Sequence, residues 1–188
     1  MQRFFLLRKM KKDKEYIIKY KGLKDGVHNF SYLIDSCFFA MIEDSMYNDG
    51  NIKVELSLNK GFNILTLDFC LKGYVSSVCD NCLEPINVPF ENSERIYVKF
   101  GDKYEEMSDE SLMIPHSEHE IDIRKMLYDI IVTSLPMRHL HEYDKKGNNK
   151  CNPDMIKILN EYSKNNSIDS THKQSDPRWE GLKKLIDN

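Results

Sequence analysis

The sequence predicts an α+β fold: a mainly antiparallel twisted sheet, or a partly closed barrel, with a helical C-terminal part. Three observations predict it. Apolar and polar residues alternate in long runs from about residue 15 to residue 100, the period-two mark of strands with one buried face. From residue 121 the apolar spacing becomes helical. Between the two, residues 101–120 are rich in acids and poor in apolar anchors.

The 188 residues suffice for one domain with its own core. The chain is expected to comprise a basic, disordered arm at 1–14 and a single domain at 15–188. Within that domain, 15–100 is mainly strand, 101–120 an acidic loop and 121–188 mainly helix. A net charge of −3 and a pI near 6.1 exclude a generic basic nucleic-acid coat, so binding to RNA needs a local patch. No stretch reaches the roughly 20 apolar residues of a membrane span. The apolar run at Phe4–Leu7 is too short for a signal peptide, and Met10 offers an alternative start to Met1. The expectation is therefore a cytoplasmic protein with its five cysteines reduced, the odd number also arguing against a full disulfide framework.

Taken in order, Arg3, Arg8, Lys9, Lys11, Lys12 and Lys14 make the arm basic. Tyr16–Tyr20 reads as a strand, and Gly22 and Asp25-Gly26 as turns. Phe30, Tyr32 and Ile34 mark one face of a second strand, and Cys37–Met46 is a short helical turn or loop. Ile52–Leu58 alternates cleanly, Asn59-Lys60-Gly61 supplies a turn, and Phe62–Val75 resumes the alternation, giving a hairpin. Cys70 falls opposite Phe69 and is expected to be a buried or half-buried thiol. Ile86–Phe100 is the return strand. In the acidic segment Leu112-Met113-Ile114 suggests a short edge strand, and the loop setting argues against a metal role for His116 and His119. Asp122 caps a helix from Ile123 that carries Met126, Leu127, Ile130 and Ile131 and ends at Pro136. Asn152-Pro153 opens a second helix. Asp176-Pro177 opens a last one, with Trp179, Leu182 and Leu185 on its apolar face and Trp179 as its main anchor.

Val78-Cys79-Asp80-Asn81-Cys82-Leu83-Glu84-Pro85, at the tip between two long strands, organises the chain. Two cysteines separated by two residues can place both thiolates on one metal ion, and a tetrahedral zinc site often draws its other two ligands from elsewhere in the chain. Cys151 and either His139 or His141 are the candidates, with His141 preferred; Cys79, Cys82, Cys151 and His141 would make a closed, structural site. A redox role for the CxxC wants the first cysteine at a helix N-terminus after a strand, whereas Leu83-Glu84-Pro85 leads into another strand. No Gly-rich phosphate loop, G-x-S-x-G elbow or H-E-x-x-H appears, so no catalytic residue is assigned.

Four stretches together resemble the YceD-like family of large ribosomal RNA subunit accumulation proteins. They are the Val78–Pro85 knuckle after a long strand ending in Gly73, Lys21–Gly26 with His28–Asp35, Ile121-Asp122-Ile123 through Leu135-Pro136, and Asp176-Pro177-Arg178-Trp179 with Leu182 and Leu185. The resemblance spans roughly residues 15–188. It implies a bacterial, cytoplasmic, non-catalytic factor in accumulation of large-subunit ribosomal RNA or ribosome assembly, with that RNA or a ribosomal protein as partner and neither membrane nor DNA. The other classes open at this point are a zinc-stabilised protein-interaction adaptor without RNA contact and, more remotely, a thiol oxidoreductase. The basic patches available for RNA are the arm from Arg3 to Lys14 and the loop carrying Arg138, Lys145, Lys146 and Lys150, where Tyr143 is placed to stack on a base.

Overall fold

The computed structural model describes residues 15–108, 110–141 and 150–165. The chain divides into two compact units with the boundary between His141 and Glu142.

The first unit is built on an open six-stranded sheet. Strands β2 (Gly26–Ile34), β3 (Gly50–Lys60), β4 (Ile64–Val78) and β5 (Pro85–Gly101) form an antiparallel meander. Strand β7 (Ser111–Pro115) then adds parallel to β5, and β6 (Glu105–Ser108) pairs antiparallel outside it, giving the order β2-β3-β4-β5-β7-β6. The alternation in sequence maps directly onto one buried face: Ile52, Val54, Leu56 and Leu58 from β3 meet Leu65, Leu67, Phe69 and Leu71 from β4. A separate ribbon pairs β1 (Ile17–Ile18) with β8 (Ile121–Asp122).

Helix α1 (Ser36–Phe39) starts where the Asp35 carboxylate accepts the Cys37 N–H at 3.0 Å, and it buries Phe38 and Phe39. Tyr16 packs against Phe38 and Tyr32, fastening the chain beside the β1–β8 ribbon to the core. Helix α2 (Arg124–Ser134) follows β8; the Asp122 carboxylate accepts the Arg124 N–H at 2.9 Å, and Leu127, Ile130 and Ile131 enter the core. Asn92 of β5 donates to Ser134 Oγ at 2.8 Å, holding α2 along β5. Gly73 permits a close approach of β4 to its neighbour β3, since a Cβ there would stand 2.1 Å from the Asn51 carbonyl oxygen.

In the second unit, α3 (Pro153–Asn165) begins with proline in its first turn, and the Asn152 side chain accepts the Asp154 N–H at 3.0 Å.

Several expectations change. The sheet is open, ending on β2 and β6, so the partly closed barrel is not the form seen among the described residues. The acidic segment contains two strands. Leu112 and Ile114, spaced by two, are both buried when β7 pairs with β5, and two anchors suffice because the neighbouring strand already exists. The edge strand is β6, outside β7. Cys70 is exposed: it faces outward because Phe69 faces inward, and that face of the sheet is polar. Tyr16–Tyr20 holds only a two-residue strand, followed by a 3-10 turn at Tyr20–Gly22. The basic arm, Tyr143, Lys145, Lys146 and the Asp176–Leu185 segment with Trp179 lie outside the described residues. Among the described residues, no helix is long and apolar enough to cross a membrane.

Candidate metal centre

The β4–β5 ladder runs without a break from Ile64↔Lys99 to Val78↔Pro85, which puts the Cys79–Glu84 turn at its tip. The turn closes on itself: the Cys79 N–H donates to the Glu84 carbonyl at 2.9 Å and the Leu83 N–H to the Cys79 carbonyl at 2.8 Å. Leu83 adopts a left-handed backbone, φ 61°, where glycine is usual. This bend turns both cysteine side chains inward, and Cys79 and Cys82 are buried.

The chain leaving α2 is sewn to this turn. The Asp80 N–H donates to the His139 carbonyl at 2.8 Å, and the His139 N–H returns to an Asp80 carboxylate oxygen at 2.7 Å. Arg138 donates to the Asn81 side-chain oxygen at 3.3 Å. The His139 ring is engaged elsewhere, with Nδ1 at 2.8 Å from Ser77 Oγ and Nε2 at 3.5 Å from the Tyr47 hydroxyl. Two residues on, His141 Nδ1 lies 3.4 Å from Cys82 Sγ. The ligand atoms of Cys79, Cys82, His141 and Cys151 all lie within 4.8 Å of one another, with the three cysteines buried and His141 half-buried.

This donor set fits a tetrahedral metal. Metal–sulfur bonds of ~2.3 Å and metal–nitrogen bonds of ~2.0 Å set neighbouring ligands roughly 3.5 Å apart. The Cys82–His141 separation of 3.4 Å is already one such edge. The Cys79 thiol is tuned in the same direction. Burial alone pushes its pKa up, but hydrogen bonds from the backbone of Asn81, Cys82 and His141, with the His141 side chain, more than offset that and bring it to about 6. All five cysteines are thiols, with no disulfide.

The remaining predicted residues fall as follows. Arg138 and Lys150 are exposed; Lys145 and Lys146 lie outside the described residues. His116 stacks on Phe100, and His119 Nδ1 sits 3.4 Å from Lys21 Nζ. Reasoning from sequence missed the supporting roles of Ser77, Asp80, Asn81 and Tyr47. Asp80-Asn81 inside a tight turn is a readable signal, since short polar side chains are common in turns; here Asp80 accepts the His139 N–H and Asn81 accepts from the Arg138 guanidinium. Tyr47 carries no such signal.

An open α+β sheet with a cysteine-rich candidate metal centre at a hairpin tip defines a non-repetitive, knuckle-bearing class of small protein. The sequence profile described as Large ribosomal RNA subunit accumulation protein YceD matches residues 67–186, well over half of the chain, and the protein belongs to the YceD family. The matched region begins within β4 and takes in the knuckle, β5 and both later helices. No curated protein and no solved structure matches the chain.

Proposed function

We propose that this protein is a non-catalytic factor for large-subunit ribosomal RNA accumulation whose RNA-facing surface is organised by a structural zinc ion. The observation that carries the reading is the juxtaposition of Cys79, Cys82 and His141 with an exposed Arg138 held against the knuckle. Family membership supports the link to ribosomal RNA. Three thiolates and one imidazole suit zinc, and four protein ligands leave no open position for a substrate. The ion would supply closure, fixing the segment after α2 to the β4–β5 tip. Arg138, Lys145, Lys146 and Lys150 then supply the cations that meet phosphate.

Two measurements test this. Protein purified without chelator is expected to carry one zinc per chain, and its melting temperature is expected to fall when EDTA removes the metal. Metal-free protein with an unchanged melting temperature refutes the zinc half. Replacing Lys145, Lys146 and Lys150 by Ala is expected to weaken binding to large-subunit ribosomal RNA. Each phosphate that no longer meets a lysine lowers the salt slope by roughly 0.7–0.9 unit. Unchanged affinity and slope would favour an adaptor acting through protein surfaces alone.

A further inference from the structure

A second surface of the first unit has the opposite character. A cleft of about 660 Å³ runs between α2 and the β5–β7–β6 side of the sheet. Its apolar lining comes from Ile96, Leu112, Met126 and Ile130. Its charged lining is Glu94, Glu106, Asp122 and Asp129, with Lys125 the one cation among the described residues that line it. Asp122 is already held by the Arg124 guanidinium through Nε at 2.9 Å. Among the described residues, that leaves Glu94, Glu106 and Asp129 facing one lysine, three negative charges to one positive. Lys125 Nζ reaches across to Glu106 Oε1 at 2.5 Å, so the cleft already holds one ammonium between its helix wall and its strand wall. The Asp129 carboxyl is raised above its ordinary pKa by partial burial, with Lys125 opposing and Glu106 adding to the rise. Glu106 and Ser108 belong to β6, the edge strand, whose side chains are all exposed.

We propose that this cleft docks an extended, lysine- or arginine-rich segment of a partner protein; the inference rests on the ribosome-assembly reading and names a protein partner that accompanies the RNA. The chemistry selects that occupant. Lysine and arginine stems are apolar and cover an apolar floor, while their heads reach carboxylates at the rim. Lys125 on Glu106 is the same pairing made within the chain. The strand wall favours an extended peptide over a helix, because an edge strand offers backbone partners to an added strand. Phosphate is excluded, since the excess negative charge repels it.

The test uses the full-length, zinc-containing protein and a labelled peptide of alternating lysine and valine, followed by fluorescence anisotropy. The expected result is binding that weakens about fivefold or more in Glu106→Gln/Asp129→Asn, with slower amide exchange at residues 105–108 when peptide is bound. Glu118→Gln/Glu120→Gln removes the same charge outside the cleft and is expected to leave affinity within about twofold. Equal weakening in both double variants overturns the proposal, because attraction is then only to net charge. Tighter peptide binding after the six basic residues of the arm (Arg3, Arg8, Lys9, Lys11, Lys12, Lys14) are changed to Gln also overturns it, making the arm the occupant. Displacement of the peptide by an oligouridylate that binds the cleft overturns it in favour of RNA. Ribosomal RNA affinity measured on the same variants is a separate readout, so failure of the RNA reading and failure of the cleft are told apart.

Discussion

Replacing Gly73 by alanine is the most demanding test of the sheet. Gly73 pairs with Ile52, and a Cβ added to it stands 2.1 Å from the Asn51 carbonyl oxygen and 2.7 Å from the Ile52 Cα. An ordinary carbon–oxygen contact is roughly 3.3 Å, so the two strands must part by about 1.2 Å. Backbone atoms have no rotamer by which to yield. Overpacking of this kind costs about 1–3 kcal/mol, and opening one or two neighbouring ladder bonds adds ~1 kcal/mol each, for a total of about 2–5 kcal/mol. That is a large share of a typical stability of ~5–15 kcal/mol and lowers the melting temperature by roughly 10 °C. Gly22→Ala is the control: nothing lies within 4 Å of its added Cβ, and the change is expected to be neutral or to stabilise by up to about 1 kcal/mol. Urea unfolding of both variants decides the matter. If Gly73→Ala falls within about 1 kcal/mol of Gly22→Ala, β4 and β3 do not lie close enough at Gly73 to exclude a side chain. Because β4 continues from Gly73 to the knuckle, zinc content of the variant gives a second, independent reading.

Four further outcomes are expected. Cys79→Ser and Cys82→Ser each release zinc and speed amide exchange across residues 136–155; unchanged exchange there means the ligand set is wrong. His141→Ala removes the metal, whereas His139→Ala keeps it and costs about 1 kcal/mol for the missing Ser77 hydrogen bond, as metal analysis and thermal melts would show. Leu83→Gly relieves a left-handed backbone worth ~1–2 kcal/mol but adds unfolded-state freedom worth ~0.4–1 kcal/mol, so stability stays level or rises slightly; a clear drop in the urea midpoint would mean that the exposed Leu83 side chain contributes packing of its own. Burial pushes the Tyr32 phenol up to about 12, with Glu15 adding to the rise, and raises Tyr16, Tyr20 and Tyr47 as well. The folded state therefore holds these protons more tightly than the unfolded chain. Stability is level below the ordinary phenol value of 10.0 and falls as pH rises from there towards 12, which tyrosinate absorbance and denaturant titration would follow together.

The long strands are legible in the sequence because a single rule, alternation, governs any strand with one face buried. Phe30, Tyr32 and Ile34 announce β2 and the Val54–Leu58 run announces β3 without reference to any other part of the chain. The acidic segment reads as a loop for the complementary reason. Strand β7 has only Leu112 and Ile114 to bury, and its stability comes from β5, a partner that no local window contains. The exposure of Cys70 is half legible: its face follows from Phe69, but whether anything covers that face is a tertiary fact. At the candidate metal centre, C-x-x-C and a downstream Cys and His are visible as residue types. What separates the two histidines physically is the occupation of the His139 ring by Ser77 and Tyr47, and Tyr47 lies 92 residues away in a segment with no pattern of its own.

Strand β5 carries the knuckle at its first residue and lines the acidic cleft through Glu94 and Ile96. From Pro85 to Ile96 are eleven steps, at most about 36 Å of extended chain. Both ends are fixed to one continuous ladder, so the spacing between them is a property of covalent geometry and not of a flexible linker. A phosphate-bearing strand gripped at one end and a basic peptide gripped at the other would be held at a set distance, like two marks on a ruler. Inserting two residues symmetrically into β4 and β5 would keep every side chain on its own face while moving the marks apart by about 7 Å.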